Sequence, residues 1–157
     1  MMNKEELLNE LERMRENQIR MINNECDNFK RLLTGQDIEP VPVSLITTPS
    51  FFIGKKPTML HIDFEEIPVK SWREVASVLL SRCNEESHSE LRNLCDRVSG
   101  KSRIILASSG SGMDKPVKID EDIYFEGHFG TEYMLTMLIR ILNYAHFDYD
   151  DIMVSVK

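Results

Sequence analysis

A chain of 157 residues, 41% hydrophobic and 29% charged, is long enough to bury a sizeable core and has the composition of one ordinary soluble domain with room for an appendage. Its formal net charge of −7 is uneven: residues 113–157 hold nine acids against four bases while the first 112 are close to balanced, which argues against uniform adhesion to nucleic acid and leaves only a local basic patch. No apolar run reaches the roughly 18 residues that span a bilayer, and the opening MMNKEELLNELERM carries acids where a secretory leader carries bases. Cys26, Cys83 and Cys95 lie far apart, and an odd count argues against a disulfide framework. A cytoplasmic protein with no membrane contact is expected.

Taken in order, residues 3–33 predict one long helix. Leu8, Leu11, Ile19, Ile22, Cys26, Phe29 and Leu33 form a stripe at helical spacing, flanked by Leu7, Met14 and Met21. Arg15, Gln18 and Glu25 interrupt it, so it is not a clean two-stranded coiled coil. Some 30 helical residues extend about 45 Å, more than a domain of this size needs. Such a helix either folds back along its own domain or serves as an arm. The arm reading assigns Leu8, Leu11, Ile19, Ile22, Phe29 and Leu33 to an oligomer interface with a second copy or a partner protein.

Gly35 supplies a helix stop. Residues 35–57, with Pro40, Pro42, Pro49 and Pro57, predict a tether rather than an element. Phe51, Phe52 and Ile53 within it require cover, as a short edge strand or as a pin holding the tether to the domain. From Thr58 the period becomes two, with Leu60, Ile62 and Phe64 on one face and His61, Asp63 and Glu65 on the other, the pattern of a half-buried strand that Pro68 breaks or edges. Ser71 and Glu74 form a capping box opening a helix that buries Trp72, Val75, Ala76, Leu79 and Cys83. Ser87 and Glu90 repeat the signal for a second helix, with Leu91, Leu94, Cys95 and Val98 inward and Gly100 as its stop. Residues 104–107, Ile-Ile-Leu-Ala, predict a strand covered on both faces, and a Ser-Gly loop flexible by composition follows. Ile123 to Phe147 predicts a strand, a glycine corner and a helix apolar nearly all round, its only polar line being Glu132, Thr136, Arg140 and Asn143. Ile152, Val154 and Val156 alternate as a closing strand. The fold class expected is α+β, a long N-terminal helix followed by a small sheet packed on three helices. Its divisions are an arm at 1–34, a tether at 35–57 and a binding domain at 58–157.

Few constellations suggest chemistry. Ser99-Gly100-Lys101-Ser102 resembles the tail of a phosphate loop but lacks the first glycine, Cys95 standing in its place, and follows a helix instead of a strand. Cys83, His88 and Cys95 have spacings too wide for a structural zinc pair, and both cysteines sit on apolar helix faces, so no metal is expected. Glu126 and His128 share a strand face with Tyr124 and are the one pair able to support acid–base catalysis. A solvated strand face accounts for them equally well. No activated nucleophile or dinucleotide fingerprint is present, so neither an enzyme nor a cofactor is expected.

Two surfaces remain. Lys101, Arg103, Lys115 and Lys118, with Lys55, Lys56, Lys70 and Arg73 as neighbours, would form a basic rim suited to phosphate backbone contacts. No aromatic platform for stacked bases accompanies it. Asp120, Glu121, Asp122, Asp148, Asp150 and Asp151 would form an acidic surface complementary to a basic groove on another protein.

Val69-Lys70-Ser71-Trp72-Arg73-Glu74-Val75 and Tyr124-Phe125-Glu126-Gly127-His128-Phe129-Gly130-Thr131 resemble two segments of a small α/β accessory module of bacterial phage-related and restriction-system-associated proteins. The resemblance covers roughly residues 58–156 and departs where the module carries asparagine and serine and this chain has His128 and Gly130. It implies a setting of phage–host conflict and an accessory role. The expected function is therefore a non-enzymatic protein-interaction module that self-associates and binds a protein such as a nuclease or defence protein. The alternative is a nucleic-acid-binding accessory protein using the basic rim.

Overall fold

The computed structural model describes residues 3–34, 39–97 and 103–157. The elements in chain order are α1 (Lys4–Thr34), β1 (Val41–Ser44), β2 (Pro57–Ile62), β3 (Glu65–Pro68), α2 (Trp72–Leu94), β4 (Leu106–Ala107), β5 (Pro116–Asp120), β6 (Ile123–Glu126), α3 (Thr131–Tyr144) and β7 (Met153–Val156). The class is α+β, with the long N-terminal helix expected from its stripe. The strands divide into two antiparallel sheets instead of one, in the orders β1-β7-β2-β3 and β4-β6-β5.

α3 is the hub. Met134, Leu135, Met137, Leu138, Ile141 and Leu142 are buried along it, while Glu132, Thr136, Arg140 and Asn143 form its exposed edge as their spacing predicted. It packs on α2 and on a 3-10 turn at Pro49–Phe52. α2 starts where the capping box placed it: the Ser71 hydroxyl accepts from the Glu74 amide, and the Glu74 carboxylate accepts from the Lys70 amide. Ser87 leaves helical geometry at φ −144°, ψ 52°, so α2 is two helical segments joined at the residue that repeats the cap signal. The proposed stop at Gly100, with Val98, lies outside the described residues.

Three expectations need correction. The tether belongs to the fold: β1 pairs in register with β7, from Val41 opposite Val156 to Ser44 opposite Met153, and Val43, Leu45 and Phe52 are buried. Prolines are tolerated there because β1 is an edge strand with one side free of ladder bonds. Phe52 meets Trp72 edge-on at 5.1 Å, and the Trp72 indole donates to the Lys55 carbonyl at 2.9 Å, so the segment is riveted to α2. Second, the alternation from Thr58 ends at Ile62. Asp63 and Phe64 form a two-residue hairpin turn with φ of 49° and 63°, and Phe64 is fully exposed instead of facing the core. Third, Ile104 is 47% exposed, and only Ile105, Leu106 and Ala107 of the apolar run are buried.

Candidate protein-interaction surfaces

α1 is 31 residues long, about 46 Å at about 1.5 Å per residue. Its half-buried residues, among those described, are Glu10, Asn17, Met21, Asn24 and Asn28, which recur at helical spacing on one edge. That edge, and not the apolar stripe, faces the body. Leu8, Leu11, Ile19, Ile22, Phe29 and Leu33 are 47% to 73% exposed, and Cys26 is exposed with them. A helix settling on a core normally turns its apolar face inward, because burial contributes roughly 25 cal/mol per Å² of apolar area. Here the helix does the reverse.

The seam beneath α1 is correspondingly loose. Two ion pairs bridge it, Arg13 with Asp150 at 3.6 Å and Glu25 with Lys55 at 3.1 Å, both with exposed members. Open clefts of about 360 and about 410 Å³ separate the helix from residues 46–51, on either side of Met21 and Thr48. Asn24 Nδ2 and Asn28 Oδ1 are buried with no hydrogen-bond partner among the described residues, and each such group costs about 1–3 kcal/mol. Lys55 also lies 4.6 Å above the Phe51 ring, which holds its ammonium at the rim of the larger cleft.

The predicted acidic surface is divided by the fold. Asp120, Glu121 and Asp122 lie at the β5–β6 turn and are largely engaged. The Asp120 carboxylate accepts from Asn84 and from the Glu121 amide, which hold its carboxyl below the usual range. Glu121 pairs with Lys118 at 3.3 Å, and Asp122 accepts from the Arg92 guanidinium at 2.7 Å. Asp148, Asp150 and Asp151 lie before β7. Asp150 faces Arg13, whereas Asp148 and Asp151 join Asp63 and Glu86 around a cleft of about 160 Å³ floored by Ile62, Phe147 and Ile152. Both groups flank the bend of α2: Asn84 and His88 touch Asp120, and Glu86 faces Asp148 and Asp151. Beside the second group stands the β2–β3 hairpin, with Glu66 and the bare Phe64 ring; Arg82 ties its Asp63 and Glu65 to α2. Periodicity assigned Phe64 to the core, so only the turn geometry reveals it as an exposed aromatic.

The basic rim is partly neutralised. Arg103 pairs with Asp114 at 2.6 Å and Lys118 with Glu121. Arg73 reaches the Gly127 carbonyl at 3.4 Å, which brings it close to Lys115. Lys101 lies outside the described residues.

Glu126 and His128 do not form a side-chain pair. Glu126 is 1% exposed, and its carboxylate accepts from the backbone amides of Asp114 at 2.8 Å, Lys115 at 2.9 Å and His128 at 3.0 Å. Burial pushes the carboxyl up, but those three amides outweigh it and hold it below the usual carboxylate range. The glutamate thus closes the loop before β5 onto the end of β6, while the His128 side chain points to solvent. Gly127 is required beside it. A Cβ there would lie 2.8 Å from Arg73 Nε, 2.9 Å from the Lys115 carbonyl oxygen and 3.0 Å from Val117 Cγ2.

Cys83 and Cys95 are buried, and burial pushes the Cys83 thiol up to about 11. His88 turns away from them to Asn84 and Asp120. Among the described residues, His88, Asp120 and Asp122 are the one group whose ligand atoms gather closely enough for a metal ion, within 4.8 Å. The Arg92 guanidinium already supplies positive charge there, so ordinary ion pairing explains the cluster. No helix among the described residues is long and apolar enough to cross a membrane. Neither protein-family models, nor curated proteins, nor solved structures provide a match to this chain.

Proposed function

We propose that this chain is a non-enzymatic protein-interaction module, which assembles through the outward stripe of α1 and engages a second protein through the acidic side of its body. The observation that carries the first half is the inverted seating of α1, with asparagines against the body and leucine, isoleucine and phenylalanine toward solvent. An exposed apolar band of that length on an otherwise charged helix is the kind of surface that marks a protein contact. Replacing Leu11 and Ile22 with aspartate halves the mass measured by light scattering if a dimer forms through the stripe. An unchanged mass removes the reading.

The second half rests on Asp148, Asp151, Glu86 and Asp63 around one cleft, next to the exposed Phe64. An aromatic anchor beside Asp148, Asp151 and Glu86, which pair with no cation among the described residues, suits a partner with an apolar socket in a basic rim, the charges acting mainly on association rate and specificity. The phage–host setting implied by the resemblance over residues 58–156 suggests a nuclease or defence protein as that partner. Nucleic-acid binding is disfavoured by the pairing of Arg103 and Lys118 with acids. It predicts an affinity falling steeply with salt, and duplex DNA titrated at two salt concentrations tests it. An enzymatic role for Glu126 is disfavoured because three amides already occupy its carboxylate.

A further inference from the structure

We infer that the stripe of α1 is covered by α1 of a second copy running antiparallel, about a dyad between Ile19 and Ile22; this rests on the self-association proposed above and adds the orientation. The interruptions of the stripe choose the direction. In a parallel pair Arg15 meets Arg15 and Glu25 meets Glu25, so like charges face each other at both charged breaks of the three. In an antiparallel pair centred between Ile19 and Ile22, Arg15 of one copy lies opposite Glu25 and Cys26 of the other, and this happens twice by symmetry. Ile19 faces Ile22 and Leu8 faces Leu33, while Leu11 and Phe29 of the other copy lie one residue out of register.

The ends of the helix agree. Its first third carries Glu5, Glu6, Glu10 and Glu12 against Lys4 and Arg13, while Lys30 and Arg31 lie in its last turns. Antiparallel pairing sets the acidic third of each copy beside the basic end of the other, whereas parallel pairing stacks acid on acid. Arg15 and Glu25 are free enough to exchange partners, their side chains being 69% and 57% exposed although they reach Glu12 and Lys55. Each body lies under the asparagine edge, and of the stripe Ile22 and Cys26 also border the open cleft toward Thr48, Ser50 and Phe51. Arg13 marks the end of α1 over Asp150. The dimer therefore turns its two Asp148–Asp151 segments to opposite sides of the dyad and offers two separated partner sites.

Cys26 reports the orientation. It is exposed, and the other two cysteines are buried. Across the proposed dyad the two Cys26 residues are separated by about 11 residues of helix, about 16 Å, too far for a disulfide, which needs Cα atoms within about 7 Å. Arg15→Cys places a thiol opposite Cys26 of the other copy. Under mild oxidation the full-length Arg15→Cys chain is expected to form a covalent dimer joined between positions 15 and 26 by peptide mapping, and the unaltered chain is not. A Cys26–Cys26 link in the unaltered chain overturns the antiparallel arrangement while leaving self-association intact. A monomeric mass for the unaltered chain overturns self-association itself. Charge exchange supplies an independent reading that needs no cross-link: Glu25→Arg is expected to weaken the dimer about 5- to 10-fold, and adding Arg15→Glu to restore it. Failure of the double variant to recover also overturns the antiparallel pairing.

Discussion

α1 and α3 are both helices rich in large apolar residues, yet the fold treats them oppositely. α3 buries Met134, Leu135, Leu138, Ile141 and Leu142 and leaves one polar line in water. α1 turns its polar line inward and leaves Leu8, Leu11, Ile19, Ile22 and Phe29 in water. The difference lies in what surrounds each helix. α3 is enclosed by α2, the Phe52 turn and the sheets, so almost every side of it needs apolar cover. α1 meets one flank of the body, mainly residues 46–51, where Thr47, Thr48 and Ser50 stand between Ile46 and Phe51. An apolar stripe at helical spacing thus reports that something will cover the helix, without saying that the same chain will.

Truncation sharpens the contrast most. Leu138→Ala in α3 is expected to cost about 2–5 kcal/mol in urea unfolding, since it removes a fully buried side chain from a closed core. Glu126→Gln follows at about 1–3 kcal/mol, because a charged acceptor of three buried amides is weakened. Its pH dependence has a definite sign. The folded carboxyl titrates below its unfolded value, so its contribution is full above the unfolded value and disappears as the pH falls through the folded one. The gap in stability between Glu126→Gln and the unaltered chain should accordingly close on acidification.

Smaller effects test the exposed regions. Asp63→Asn combined with Phe64→Gly should raise stability by about 1 kcal/mol, because both residues stand at positive φ in a turn that Asn-Gly adopts readily. Loss of partner binding in that stabilised variant, but not in Asp63→Asn alone, would separate a recognition role for Phe64 from a structural one. Ile22→Ala in α1, measured under dilute conditions where the proposed dimer dissociates, should change unfolding by no more than about 0.5 kcal/mol. A cost comparable to that of Leu138→Ala would break the comparison, since it would mean that the stripe is packed within its own subunit.

Much of the local structure was legible. The Ser71–Glu74 cap, the break at Ser87 and the polar edge of α3 rest on interactions or spacings of a few residues, which a linear pattern records, and the alternation of Ile152, Val154 and Val156 marked β7 although its partners are distant. The β1 strand was not legible, because Pro40 and Pro42 argue against a strand, and its ladder bonds run to β7, more than 100 residues later in the chain. Phe64 misled for a related reason. The alternation leading to it is genuine, but a turn of two residues at positive φ ends it one step early. The candidate surfaces divide in the same way. The stripe residues of α1 were legible as a set, whereas their outward direction depended on which edge of the helix the body could accept. The acidic residues were legible as a count, but Arg92 and Arg13 approach them only in three dimensions.

By itself the sequence determined where helices begin, which faces of them are apolar, and that α3 is enclosed, because capping and periodicity act within a few turns of one element. Only the tertiary structure decided that α1 lies on its asparagine edge, that the proline-rich segment includes a strand, and that among the described residues a cation stands beside Asp122 but not beside Asp148 or Asp151. Those outcomes depend on long-range pairing and on the spatial sum of neighbouring charges, and neither is written in the order of residues along the chain.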